Sequence, residues 1–547
     1  MTTNISAKNA CSLIVDQLLA EGVGHVFMAP RSASSPLAMS LGTAIHRVEA
    51  PTEAAASFMA LGHAQASSRA AVVILSAGQG LVSALPAMYT ASRIHLPLVV
   101  ICDQQSSQTL NDDPPLYSDL LSISRPVCKW VAETRGAAEI PRILRRAFTE
   151  AFSPPKGPVL ISIPIDIYGQ SAHAANISPP HTSPLGAADH SFVLKTARSL
   201  VSAKSPCIIT GNEVSQYRAR KETATLAEVV GCPVYSEPMP TGVNFPNRHP
   251  QFAGVLSTNI DDARTALKKH DLILALGMQT RLPAQRGEEA LLPGTAAVIQ
   301  INVDPTLAGK TLPCIAASTA DIAESMSRVR AEIQLIADNN WLNMARSRAH
   351  MTIQEVSTLR QKLEENLSYP SENDPISLFW LLRSIDGART TNSIIVTDIV
   401  GTRSDPSLVM SLEGSSAYFA SNSGTDGYAL GAAIGTQMAT PDTPVICITS
   451  DQSLLHDPAA LWCAARYGLN TKIIIVNTHG KKTLNLHLGT VDSPYPLGEP
   501  EIEFTDIARA MHVPGQKVVN MGQLENYLFN MFDAKGPYLL DVTVEES

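Results

Sequence analysis

Short, uninterrupted aliphatic runs recur along this chain, each followed by a Gly/Ser turn and an Ala-rich amphipathic stretch. Residues 71–75, 98–102, 159–163, 207–210, 272–276, 298–303, 394–396, 445–448 and 473–476 are such runs. A strand that is apolar at every position must be covered on both faces. Parallel sheets flanked by crossover helices meet that demand. The pattern therefore predicts an α/β fold built from doubly wound parallel sheets.

Two breaks divide the 547 residues. Residues 168–190 include Ser178-Pro179-Pro180-His181-Thr182-Ser183-Pro184 and carry neither helical nor strand period, so they read as a linker. The second break, Tyr369-Pro370-Ser371-Glu372-Asn373-Asp374-Pro375, follows a polar helical stretch over about 341–366. Three domains follow, near 1–170, 190–340 and 370–547. The first and third look like copies of one plan. In each, an Ala-rich helix (54–66, 429–439) precedes a buried run, a polar turn (76–80, 450–453), a second helix and another buried run.

Charged residues make up 17% of the chain and apolar ones 45%, so some apolar surface is expected to be covered between subunits. The net charge of −9, with no basic stripe, argues against nucleic acid. No uncharged apolar run approaches the ~18 residues of a membrane span. Met1-Thr2-Thr3-Asn4 does not open a signal peptide. Eight scattered cysteines form no CxxC pair, as expected of reduced thiols in a cytoplasmic protein.

Ligands of open α/β sheets gather at the carboxyl ends of strands. In the third domain those ends are residues 398–402, 422–427, 450–453 and 477–480. Asp451 starts a helical segment after a strand, where it could cap the helix or hold a divalent cation. Thr478 closes the next strand 27 residues later, so the two loops should be neighbours on one sheet edge. A carboxylate, a hydroxyl or amide oxygen and a backbone carbonyl suit Mg²⁺ bridging phosphate oxygens. Gly424, Gly427 and Gly401-Thr402 would let the backbone approach a diphosphate.

At these residues the chain resembles the thiamine-diphosphate-dependent enzymes of the acetolactate synthase and benzoylformate decarboxylase type. Their GDG…NN diphosphate motif stands here as Ser450-Asp451-Gln452 and Asn477-Thr478. Val127-Cys128-Lys129-Trp130, Lys156-Gly157-Pro158-Val159 and Phe245-Pro246-Asn247-Arg248-His249-Pro250 resemble the decarboxylase. Pro30-Arg31-Ser32-Ala33-Ser34-Ser35 and residues 450–457 resemble the menaquinone-pathway carboligase.

The resemblance implies that the first domain binds the aminopyrimidine and the third the diphosphate, with sites between subunits of a homodimer or homotetramer. It implies Mg²⁺ on Asp451, Thr478 and the Gly480 carbonyl. Cofactor contacts would come from Gly401, Thr402, Gly424, Thr425, Asp426, Ser450, Gln452 and Ser453. Glu53 matches the glutamate that bonds the pyrimidine ring, although after Thr52 it also reads as the first residue of a capped helix. Ser32 matches a serine that contacts the substrate carboxylate. Ser76, and a position near Ala284, stand where the decarboxylase has histidines. Without those imidazoles, carboligation is expected to outrun release of a free aldehyde. The parallel to benzoylformate decarboxylase argues against FAD in the central domain, where no GxGxxG stands.

The function implied is decarboxylation of a 2-oxo acid, acyloin-forming carboligation with an aldehyde, or both. The altered GDG and NN positions also fit a relative that has lost the cofactor and keeps a structural or regulatory role. A third reading has Glu53, Asp426 and His479 performing acid–base chemistry unaided. His456, His487 and Lys481-Lys482 read as loop residues near the site or in solvent.

Overall fold

The computed structural model describes residues 7–179, 185–279, 296–310, 312–365, 370–399, 406–414, 417–480 and 500–545. Three six-stranded sheets carry it, and every pairing within them is parallel. The first sheet holds β1 (His25–Met28), β2 (His46–Glu49), β3 (Ala71–Leu75), β4 (Leu98–Gln104), β5 (Trp130–Glu133) and β6 (Pro158–Pro164), in the order 2-1-3-4-6-5. The second holds β7 (Pro206–Thr210), β8 (Val234–Ser236), β9 (Phe252–Val255), β10 (Leu272–Leu276), β11 (Ala297–Asn302) and β12 (Ala316–Thr319), ordered 9-8-7-10-11-12. The third holds β13 (Ile394–Thr397), β14 (Tyr418–Ala420), β15 (Val445–Ser450), β16 (Thr471–Asn477), β17 (Gly515–Val518) and β18 (Tyr538–Thr543), ordered 14-13-15-16-18-17.

Counted from its own first strand, the third sheet repeats the strand order of the first. The likeness read from turn placement in the sequence thus extends to topology. The aliphatic runs are buried because helices cover both faces: β3, β7, β10 and β16 are buried at every position.

Five helices matter below: α1 (Glu53–Ser67), α2 (Gln79–Arg93), α3 (Asn339–Glu365), α4 (Tyr428–Ala439) and α5 (Asp451–His456). The polar stretch expected over 341–366 is α3. The Ala-rich helices α1 and α4 pack directly on each other and join the first and third sheets in one core. Their approach is set by glycine. A Cβ on Gly62 would overlap the carbonyl oxygen of Ala432, and one on Gly435 would overlap that of Met59. Thr436 Oγ1 donates to the Gly62 carbonyl (3.2 Å) and Tyr428 Oη to Gln65 Oε1 (2.8 Å).

Three imidazoles crowd beside this pair. His25 of β1 stacks on His46 of β2 (5.2 Å between centroids), and His63 of α1 lies 4.8 Å from His25. His63 Nδ1 is buried without a hydrogen-bond partner among the described residues. Burial, then the charges of His25 and Arg69, push the His63 pKa down to about 4; burial and His46 lower that of His25. The folded chain therefore holds His63 neutral. Its contribution is intact above the unfolded value near 6.5 and is lost as pH falls toward 4, by about 3 kcal/mol at the acid end. Denaturant unfolding of His63→Phe is expected to decline less over that window than unfolding of the wild type. Parallel declines would refute the assignment.

Candidate cofactor and metal site

β15 and β16 are neighbours, and the turns at their carboxyl ends meet. Ser450 caps α5, its Oγ accepting from Ser453 N at 3.1 Å, so the capping role open to Asp451 falls to its neighbour. The buried Asp451 carboxylate turns to the next loop instead. Its Oδ2 accepts from Thr478 N (3.2 Å) and Gly480 N (2.9 Å), and Oδ1 from Gln452 N (2.9 Å). The loop presents both amides because His479 and Gly480 turn it through the left-handed region (φ 53° and 76°). Gln452 Nε2 donates to the Gly480 carbonyl at 2.8 Å. Asp451, Gln452, Asn477, His479 and Gly480 line a cavity of about 20 Å³ together with Leu455, Ile502 and Phe504. That is room for a single water-sized sphere.

A second layer holds this loop. Asn477 Nδ2 donates to Asp541 Oδ1 (2.9 Å), while Asn477 Oδ1 accepts from His479 N (3.0 Å). Asp541, on β18, is fully buried, and burial pushes its pKa up to about 6. Asp398, at the end of β13, accepts from Thr449 Oγ1 (3.1 Å), Ala429 N (3.4 Å) and Ser453 Oγ. Burial raises its pKa to about 6 as well. Ser453 Oγ also accepts from Gly427 N (2.7 Å), so this hydroxyl ties α5 to the start of α4. Asp426 lies 3.4 Å from His456, both substantially exposed. Thr425 N donates to Ser423 Oγ (3.3 Å), and the neighbouring Gly424 has φ 72°. Gly401, Thr402, Ala284, Lys481, Lys482 and His487 lie outside the described residues.

On the first sheet, Ser32 follows β1 and Ser76 follows β3, a paired neighbour. Both hydroxyls are buried and neither has a partner among the described residues. Glu53 is half-buried at the first position of α1, with Thr52 as cap (Oγ1 accepting from Ala55 N, 3.0 Å). Gly80 lets Ser76 and Glu53 converge: a Cβ there would strike Ser76 Oγ and stand 3.5 Å from Glu53 Oε1. Thr52 Oγ1 donates to Asp457 Oδ2 (2.5 Å), anchoring the start of α1 just beyond α5. Among the described residues no hydrogen bond or ion pair joins Glu53 to Asp451. Asp103 at the end of β4, bonded by Tyr168 Oη (2.5 Å) and pushed by burial to about 6, is a further buried carboxyl on this edge.

The donors on the third sheet are hard oxygens, as a divalent cation bridging phosphate requires. No cluster of three His, Cys, Asp or Glu able to hold a metal occurs among the described residues, so one carboxylate with neutral oxygens would have to suffice. On the first sheet, the buried Ser76 hydroxyl, without a hydrogen-bond partner among the described residues, stands close to the half-buried Glu53 carboxylate. Fold and site define a doubly wound α/β scaffold whose third unit has a polar strand-end pocket and whose first unit gathers polar side chains at its strand ends.

Three family models match in succession. They are the thiamine pyrophosphate enzyme N-terminal TPP binding domain at residues 8–120, the central domain at 193–329, and the C-terminal TPP binding domain at 407–542. The chain belongs to the thiamine pyrophosphate enzyme family. It is 27% identical over 543 residues to benzoylformate decarboxylase of Pseudomonas aeruginosa, covering 98% of this chain and 99% of the relative. It is 25% identical over 554 residues to the acetolactate synthase large subunit of Haemophilus influenzae, covering 98% and 95%. The solved thiamine diphosphate-dependent 4-hydroxybenzoylformate decarboxylase of Rhodococcus jostii RHA1 superimposes with a TM-score of 0.84 at 25% identity, over 99% of this chain and 100% of that one.

Proposed function

We propose that this chain is a thiamine-diphosphate- and magnesium-dependent enzyme acting on a 2-oxo acid, by decarboxylation, acyloin-forming carboligation with an aldehyde, or both. The observation that carries the reading is the Asp451 carboxylate bound to the amides of Thr478 and Gly480, which brings the two halves of the altered diphosphate motif together. Asp451, Thr478 and the Gly480 carbonyl would hold the cation. Ser450, Gln452, Gly424, Thr425, Asp426, Gly401 and Thr402 would lie along the diphosphate. Ser453 would serve from behind, fixing Gly427 against Asp398.

When bound, thiamine diphosphate supplies the electron sink through which a 2-oxo acid loses CO₂. Glu53 would hydrogen-bond the pyrimidine ring through its carboxyl, oriented by the Thr52 cap and its Asp457 anchor. Ser32 and Ser76 would donate to the substrate. A serine hydroxyl does not titrate near neutral pH, so Ser76 positions rather than shuttles protons, which favours carboligation.

A homodimer or homotetramer, with sites shared between subunits, accords with the apolar face of α2, where Val82 and Tyr89 are 51% and 42% exposed. A cytoplasmic setting accords with eight free cysteines. No described helix is long and apolar enough to cross a membrane. FAD is not part of the proposal. At the switch point between β7 and β10, Glu213 Oε2 accepts from Val303 N (2.8 Å) and Oε1 from Asp304 N (2.9 Å), so the chain's own carboxylate occupies those amides.

Protein purified with Mg²⁺ and thiamine diphosphate is expected to retain the cofactor. Glu53→Gln should retain it too, yet lose at least about a hundredfold in turnover across a panel of 2-oxo acids. Failure to bind at millimolar cofactor would leave the reading of a scaffold that has given it up.

A further inference from the structure

We propose that Gln452 is a built-in competitor for the divalent cation, holding the Gly480 carbonyl with its amide until metal displaces it. The proposal deepens the metal site proposed above and rests on it.

The oxygens available on this edge are few, and most are engaged. Asp451 Oδ2 takes two backbone donors and Oδ1 takes one. The Gly480 carbonyl is the one backbone oxygen of the expected ligand set, and it accepts from Gln452 Nε2 at 2.8 Å. That is the single side-chain hydrogen bond Gln452 makes among the described residues. An amide N–H brings its positive end to the oxygen on which a cation would also draw, so the two positive partners would crowd one another there. Gln452 also lines the small cavity beside Asp451 and Gly480, so its amide stands where a cation on those oxygens would be approached.

The side chain thus holds the 477–480 loop against α5, a role that a cation on Asp451 and the Gly480 carbonyl would share. Loading would set the cation against that N–H, and the amide would turn away to relieve the repulsion. A neutral hydrogen bond of this kind should weaken metal binding roughly three- to tenfold.

Manganous ion titrated into the metal-free, full-length protein, with free Mn²⁺ read by electron paramagnetic resonance, tests this without reference to turnover. Gln452→Ala, and Gln452→Met, which keeps the length of the side chain but has no donor, should each bind Mn²⁺ roughly three- to tenfold more tightly than wild type. Circular dichroism checks that both are folded. Equal or weaker binding by the two variants overturns the proposal, and weaker binding would make the amide a ligand instead. Asp451→Ala separates the two levels of the argument. If it loses Mn²⁺ while the Gln452 variants do not tighten, only the competitor falls; if it binds as wild type does, the metal site falls and the competitor with it. Absence of binding by wild type and both Gln452 variants at millimolar Mn²⁺ also counts against it.

Discussion

Asp451→Ala is expected to leave purification without divalent cation or thiamine diphosphate, and to turn over 2-oxo acids more than about a hundredfold more slowly than wild type. Two losses combine. The variant removes the only carboxylate placed among these oxygens in the described residues. It also strips the partner from three amides, those of Gln452, Thr478 and Gly480. Hydrogen bonds to a charged acceptor contribute about 1.5–3 kcal/mol each, so the 477–480 loop should come loose from α5 as well. Metal analysis, thiochrome assay of bound cofactor and steady-state rates read the outcome. A variant that keeps its metal and cofactor would remove Asp451 from the site.

Gly435→Val should be severely destabilising. The added side chain would enter the backbone of α1 at Met59, and backbone cannot rotate away as a side chain can. Overpacking a core costs about 1–3 kcal/mol, and this position should exceed that range because the two helices must separate. Separation would also open the core that the first and third sheets share. Gly24→Ala is the matched control, because a Cβ there meets nothing within 4 Å. The expected result is a marked fall in apparent melting temperature, or loss of soluble protein, for the first variant and little change for the second. Equal melting temperatures would mean that the helix pair is not as tight as drawn.

The fold was legible because buried parallel strands leave an unmistakable trace: aliphatic at every position, then a turn, then a helix. The meeting of Asp451 with Thr478 and Gly480 was legible for the same reason, since consecutive strand ends of a βαβ unit share one edge. The second layer was not. Asp541 bonds Asn477 across 64 residues and Asp457 bonds Thr52 across 405, and no local period reports pairings of that span. A signal for Asp541 did exist: a lone carboxylate in the otherwise apolar run Tyr538-Leu539-Leu540-Asp541-Val542 must find a buried partner. Ser453 shows the opposite limit. Its place in the motif pointed to the cofactor, whereas its hydroxyl faces inward to Asp398 and Gly427.

The α1–α4 contact has a consequence for how such a chain is made. Its two faces are separated by 374 positions, so the Ala- and Gly-lined side of α1 emerges from the ribosome long before its mate is translated. Until then the nascent N-terminal unit carries an uncovered small-residue surface that can meet another unfinished chain as easily as its own missing half. Maturation should therefore be post-translational and slow, with yield sensitive to expression rate and to holdase chaperones.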